Sequence, residues 1–455
     1  MTERHRLPEE PQPAGLRLAA ALVALLVLCL PLMMGNRTPE TLTASLLALT
    51  TFSLLAVLAA NLSGPRRRLP SGWLLLAGLM TLTVIVQVLP WTLLVERFGP
   101  YPDAVRAFPG LQPLTWSPDP GATLRGWAAF IALFSLAWLA YAMPRGLRYW
   151  VWLAVVASAL FQALYGVLAH ALGWESILGI WQRHRTSTVH GSFSNRNLFA
   201  AYMALTWPLA VAVWHIRGMP LLARLPAELK IAGSLVSASL IGAAMLASTS
   251  RLGAAAGLFG MLLMLILWSR HRQWIQGVSL WPAYLAAAAT FVVALWYGVV
   301  PLAERVLETD GDDLRFEIFA VVLSEFPRAW FVHGVGLGGF EATFKQFQPS
   351  RISDWVDYLH SDALQWLVEM GLVGVIVLLM VLTGIWKQFR LNTERVALYS
   401  GLAALGLVSL ADFSWHIPAT QAVLALYLGA VLAPRQRKSA RYRRKRRRVE
   451  KRPLS

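Results

Sequence analysis

The sequence predicts an all-α polytopic membrane protein of about twelve transmembrane helices, with both termini cytoplasmic and a large periplasmic loop before the tenth helix. Three observations predict it. Of 455 residues, 56% are hydrophobic and only 14% charged, whereas soluble domains carry roughly a quarter charged residues. Apolar runs of about 20 residues, enough to cross a bilayer, recur along the chain. Lys and Arg collect in alternate loops between those runs, as orientation in a membrane requires.

The runs lie near 17–34, 41–61, 73–94, 126–142, 149–170, 197–214, 231–248, 252–268, 279–300, 361–385, 396–411 and 418–433. No small-residue cleavage site follows the first, which reads as a retained helix and not a removed signal. STSR at 248–251 makes a tight hairpin between the seventh and eighth runs. The organisation expected is a cytoplasmic segment 1–16, nine spans over 17–300, a periplasmic loop over 301–360, three spans over 361–433, and a basic cytoplasmic tail 434–455.

With the N-terminus inside, the inner loops receive Arg66 to Arg68, Arg145, Arg148, Arg217, Arg224, Lys230, Arg270, Arg272, Lys387, Arg390 and Arg395, and the tail adds RRKRRR. Most of the 41 basic residues then lie inside and most of the 24 acidic ones outside. The net charge of +17 therefore reports orientation and attraction to membrane lipids, and no nucleic-acid partner is expected. The single cysteine, Cys29, excludes an intrachain disulfide and a cysteine-based metal site.

Three outer segments are long: 95–125, 171–196 and 301–360. Within the last, DDLRFEIFAVVLSEF (312–326) reads as an amphipathic helix capped by Asp312 or Asp313, followed by a second helical piece near 339–347. About 60 residues can cap a cavity but not bury a large core of their own. Gly334, Gly336 and Gly339 match G-x-G-x-x-G, but no strand precedes them and no βαβ unit surrounds them. They read as a glycine turn that packs on the bundle. Trp116, Trp181, Trp330 and Trp355 read as interface anchors or carbohydrate platforms.

Polar residues crowd the outer ends of the spans. Asn195, Arg196 and Asn197 open the sixth; Arg251 sits in the STSR turn; His360, Ser361 and Asp362 open the tenth; Asp412, Ser414 and His416 lie between the eleventh and twelfth. Ionisable groups there are costly and face a bundle interior or wet cavity. In the tenth span Asp362, Gln365, Glu369 and Leu372 share one helical face. Glu369 reads either as part of a functional stripe or as an interhelical hydrogen-bond partner. Two arginines on an outer face suit an anionic ligand, because arginine binds phosphate bidentately and stays charged. A histidine beside them suits general-base chemistry. Together they suit transfer from a lipid phosphate or diphosphate to a hydroxyl, the arginines offsetting the leaving-group charge. No acidic pair is placed to hold a divalent ion beside them; the Asp310, Asp312 and Asp313 cluster is explained equally by helix capping.

GSFSNRNLFAAYMAL (191–205), STSRLGAAAGL (248–258), FPRAWFVHGVGLGGF (326–340), YLHSDALQWLVEMGLVG (358–374) and DFSWHIPA (412–419) together resemble the O-antigen ligase and polymerase superfamily, in order over about 230 residues. The N-terminal 190 residues are similar only in hydropathy. The resemblance implies a twelve-span α-helical fold in the bacterial inner membrane with its active site on the periplasmic face. It implies inverting glycan transfer from undecaprenyl pyrophosphate, without metal or cofactor, to lipid A-core, another glycan or protein. It implies that Arg196 and Arg251 grip the pyrophosphate and that His360 activates the acceptor hydroxyl. Asp362, the second catalytic candidate, reads from its place on the helix as orienting His360 or the acceptor. Arg315, Asn195, Asn197, Asp412, His416 and Glu369 form a second tier. Many relatives have His-Asn-Asp where this chain has His360-Ser361-Asp362; serine keeps a hydroxyl donor and acceptor. The expectation is an O-antigen ligase, with a polymerase or a protein oligosaccharyltransferase as alternatives. A transporter of the same lipid-linked glycan is the reading from another class.

Overall fold

The computed structural model describes residues 12–33, 39–62, 69–91, 115–182, 188–216, 220–269 and 314–434. The described chain is helical apart from one two-residue-stranded hairpin, β1 (Ser176–Ile177) and β2 (Trp181–Gln182). The principal helices are α1 (Ala14–Cys29), α2 (Pro39–Leu62), α3 (Ser71–Val88), α4 (Pro120–Ala142), α5 (Arg145–Ala171), α6 (Arg196–Ala212), α7 (Ala227–Ala247) and α8 (Arg251–Ser269). The outer-segment helices α9 (Leu314–Glu325), α10 (Trp330–His333) and α11 (Phe340–Phe344) follow, and then α12 (Asp362–Lys387), α13 (Thr393–Val408) and α14 (Pro418–Leu432).

Among the described residues, nine helices are long and apolar enough to cross a membrane. They correspond to the first eight runs and the tenth. The eleventh and twelfth runs form the shorter α13 and α14, of 16 and 15 residues. The ninth run, the RRKRRR tail and Asp310, Asp312 and Asp313 lie outside the described residues. Alanine and leucine, strong helix formers, dominate these helices. Their starts are marked by chemistry: Asp119, Asn195, Ser361 and Asn392 cap α4, α6, α12 and α13 with side-chain oxygens, and Pro120 and Pro418 take the first-turn position. Leucines such as Leu47, Leu58, Leu75, Leu82, Leu262 and Leu379 remain exposed, which suits an acyl-chain environment. The centre of the bundle is α6, buried nearly throughout and packed by α5, α7, α8 and α13.

The two ends of the bundle differ. At one end Arg148 is buried and donates through Nε to Glu394 Oε1 at 2.8 Å, and Trp152 Nε1 donates to the same oxygen at 3.0 Å. Arg395 there donates to the carbonyls of Gln388 and Ala433, tying the end of α12 to α13 and α14. The opposite end gathers the C-termini of α3, α7 and α13 with the N-termini of α6, α8 and α12. Val189 N donates to Ala247 O (3.2 Å) and Ala363 N to Ser409 O (3.2 Å).

This second end carries a cap. Ile318, Val321, Val322, Phe326, Trp330, Val335, Phe340, Phe344, Ile352, Val356 and Leu359 bury one another and Val368 of α12. The outer segment thus has a small core of its own, completed by α12. Trp330 belongs to that core, and Trp116 donates from Nε1 to Gly334 O at 2.9 Å. Trp330 is therefore a core residue and not an open platform, and the indole N–H of the half-buried Trp116 is taken up by the cap.

The cap docks on a break in α12. Gly371 has φ +55° and ψ −144° within an otherwise helical run. A Cβ there would lie 2.3 Å from Val332 O, and one on Gly334 (φ +77°) would lie 2.3 Å from Glu369 O. Two backbones therefore meet where only glycines fit. The break also resets the helical register: Asp362, Gln365 and Glu369 are buried, whereas Leu372 is exposed and leaves the stripe that unbroken periodicity assigns it. Glu369 accepts from Gly338 N at 2.9 Å and from Gln365 Nε2 at 3.0 Å. The glycine turn packs on the bundle, and Glu369 is the carboxylate that holds it.

Candidate active site

The arginine half begins with two helix starts. Asn195 Oδ1 accepts from Asn197 N at 2.8 Å, so Asn195 caps α6 and Asn197 supplies the capped N–H. Arg196 follows, half-buried, and its Nη1 donates to Thr249 Oγ1 at 3.1 Å. Thr249 lies in the STSR turn with φ +55°, a left-handed conformation that is an outlier for a β-branched residue. Arg251 opens α8 and is exposed. Helices α6 and α8 pack closely because Gly253 lacks a side chain: a Cβ there would lie 2.4 Å from Ala200 Cβ. Two arginines thus stand at the N-termini of two touching helices. That end of a helix repels cations and attracts anions, so neither arginine stabilises the helix it opens, and the two helix starts offer an environment that favours an anion.

The histidine half is built on the start of α12. Ser361 Oγ accepts from Leu364 N at 3.3 Å, and His360 just before it has φ +60°. Its ring lies in a T-shaped contact with Phe413 at 5.0 Å, and Phe413 stacks on Tyr358 at 4.7 Å and 6°. Asp362 is buried. Its Oδ1 accepts from His416 Nδ1 at 2.8 Å and its Oδ2 from Trp415 N at 2.9 Å. The Asp362 N–H, an orphan of the first helical turn, donates to Asp412 O at 3.0 Å. Arg315 reaches in from α9, donating through Nη1 to Ala411 O at 3.0 Å, with Nη2 3.9 Å from Asp412 Oδ2.

Burial disfavours a charged His416, but the Asp362 carboxylate against Nδ1 outweighs it, so His416 titrates above the ordinary value of 6.5. Burial, with nearby Asp357, Glu369, Glu341 and Asp362, pushes the Tyr358 phenol upward and keeps it neutral.

One element joins the halves. The 3-10 turn Ser414–His416 packs against both α12 and α6. Arg196, Arg251, Arg315, His360, Asp362, Asp412 and His416 therefore belong to one end of the bundle. Asp362 holds His416 and the Trp415 amide. Glu369 stands two turns deeper, in the cap latch. Sequence reading passed over Tyr358, Phe413 and Thr249. The first two form the aromatic wall beside His360, and aromatic residues at a span end read first as interface anchors. Thr249 gave no signal beyond its place beside Arg251. Among the described residues no group of three or more His, Cys, Asp or Glu is arranged to hold a metal ion.

Residues 236–379 match the family model Wzy_C, O-antigen ligase, which supports the resemblance to the O-antigen ligase and polymerase superfamily. The matched stretch contains Arg251, Arg315, His360, Asp362 and Glu369, while Arg196, Asp412 and His416 lie outside it. No curated protein and no solved structure matches the chain.

Proposed function

From an O-antigen ligase segment as premise, we propose that the protein is an inner-membrane glycosyltransferase. It moves a glycan from undecaprenyl pyrophosphate to a lipid A-core hydroxyl at the periplasmic face. The observation that carries this reading is that one turn, Ser414–His416, packs on both the Arg196 helix and the His360–Asp362 helix start, while Arg196 is tied to Thr249, two residues before Arg251.

The acceptor hydroxyl loses its proton to the His360 imidazole as its oxygen bonds to the anomeric carbon. The bond from that carbon to the pyrophosphate oxygen breaks in the same displacement, which inverts the centre. The electron pair leaves with the pyrophosphate, whose growing charge Arg196, Arg251 and the two helix N-termini offset. Asp362 acts as a positioning residue: it fixes His416 and Trp415, and with them the wall that carries Phe413. No metal or cofactor enters the step.

The test is transfer by purified protein in vesicles, with a polyprenyl-diphosphate glycan as donor and lipid A-core as acceptor. His360→Ala, Arg196→Ala and Arg251→Ala are each expected to lower kcat/KM at least about 100-fold. Near-normal rates for all three, with normal expression, end the site assignment. Arg251→Lys is expected to stay defective, because lysine keeps the charge but loses the bidentate fork. Product formation by the purified protein excludes a pure transporter. A product lengthened on the glycan itself replaces ligase by polymerase, and product on a polypeptide replaces it by protein oligosaccharyltransferase.

A further inference from the structure

The glycine segment after α10 has every backbone donor satisfied within the protein. Gly334 N donates to Trp330 O (2.8 Å), Val335 N to Val368 O (2.9 Å), Gly336 N to Glu369 O (3.1 Å) and Gly339 N to Gly336 O (2.8 Å). Leu337 N donates to Gln87 Oε1 (3.1 Å) and Gly338 N to Glu369 Oε2 (2.9 Å). Gly334 O accepts from Trp116 Nε1 at 2.9 Å, and Gly334 to Leu337 are buried. Buried backbone is paired in any protein, and irregular backbone at membrane depth has no alternative, because no water is there to pair with it.

Helix lengths place the segment at that depth. Its backbone meets α12 at Gly371. From Gly371 to Lys387 at the opposite end, the rise is at most about 24 Å. Helix α3 gives an independent bound: Gln87, which bonds both Leu337 N and Glu369 O, is at most about 24 Å from Ser71. Both bounds fall short of the hydrocarbon thickness of about 30 Å, and tilt only lowers the height. Trp386, 80% exposed, and Lys387 mark the opposite boundary as interfacial residues do.

The outward side is apolar. Val332, Leu323 and Phe316 are 53%, 64% and 68% exposed. The α10 backbone at Val332 lies against the kink. Leu372, Val375, Ile376 and Leu379, the next residues of α12, are exposed as well. The apolar edge of the cap is therefore continuous with the lipid-facing surface of a span. Arg315 fixes the start of α9 at the level of Asp412 and Asp362, while α10 meets α12 about 13 Å further along its axis. The cap therefore slants along α12 from the Asp362 level toward the middle of the bundle. Glu325 and Arg328 are exposed on the same stretch, and the long arginine stem can carry its charge to the headgroups.

We propose that Trp330–Gly339 is a re-entrant segment within the outer leaflet, and that bilayer acyl chains cover the edge formed by Phe316, Leu323 and Val332. This part of the 301–360 segment then lies in the membrane and not above it. The inference stands apart from the transfer reaction.

The chain has one cysteine, so Cys29→Ser gives a clean background for nitroxide labels at residues 316, 323 and 332 in phospholipid vesicles. Leu379 serves as lipid-facing control and the exposed carboxylate position Asp354 of the cap as water-facing control. Labels at 323 and 332 should collide with oxygen as the Leu379 label does, and hardly with a water-soluble nickel chelate. Chelate collisions equal to those at 354 overturn the proposal. So does shielding from both reagents, which would mean a protein partner covers the edge. The unsubstituted chain gives a second measurement. In vesicles holding a phospholipid with a diazirine on its acyl chain, photolysis should attach lipid within residues 316–332. Adducts confined to the spans overturn it.

Discussion

His360 is strained where it stands. At φ +60° it occupies backbone space that costs a non-glycine residue about 1 kcal/mol or more, and such positions cluster where function requires them. Asparagine tolerates that region better than most residues but cannot serve as a base near neutral pH. His360→Asn is therefore expected to leave the thermal midpoint within a few degrees of wild type while transfer falls about 100-fold. A rate loss matched by unfolding would instead mean that the histidine only packs. His416 makes a different prediction. A folded pKa raised above 6.5 contributes stability that is fully present below 6.5 and is lost as pH rises through the folded value. Asp362, Glu369, Asp357 and the neutral Tyr358 are the groups facing it. His416→Asn keeps a donor near the Nδ1 position. The stability difference between wild type and this variant should shrink as pH rises from about 6 to about 9, read by thermal unfolding in buffered vesicles. A difference that is flat or grows with pH contradicts the assigned direction.

At the scale of elements, the join between α10 and α12 decides whether the cap is fixed. Gly371→Ala adds a Cβ 2.3 Å from Val332 O at a φ of +55°, where neither backbone can yield cheaply. The expected cost is about 2 kcal/mol or more. The cap should loosen selectively, with faster hydrogen exchange at amides 335–338 and little change in α6. Exchange unchanged at those amides would mean the two backbones do not meet as described. Glu369→Gln keeps the size and one acceptor oxygen but lays an amide against Gly338 N and Gln365. It should loosen the same amides more weakly, with lost transfer activity secondary to that loosening.

For the whole molecule, the two ends do different work. The end opposite the site is closed by the buried Arg148–Glu394 pair, with Arg148 Nη1 also donating to Ala140 O at 3.2 Å. Removing one partner strands a buried charge, so Arg148→Met is expected to cost about 3 to 5 kcal/mol. The double variant Arg148→Met/Glu394→Gln should recover much of that, as read by unfolding in mixed micelles. Equal losses for the single and double variants would mean the pair adds nothing beyond packing. The other end carries its charges on helix starts and on the cap.

The sequence by itself determined the membrane class, the positions of the helices among the described residues, and the set of polar residues at the span ends. Those properties are local: apolar run length, residue type at helix starts, and charge in loops act over a few turns of one chain segment. It also determined that Arg196, Arg251 and His360 lie toward one end of the bundle, since span parity fixes which ends share a side. Only the tertiary structure decided who holds whom. Asp362 pairs with His416, 54 residues away, Arg196 with Thr249, and Glu369 with the glycine segment. Leu372 left its stripe because one glycine at positive φ rotated all that follows it. Such pairings depend on how helices cross and where one backbone breaks, and a helical period read along one segment contains neither.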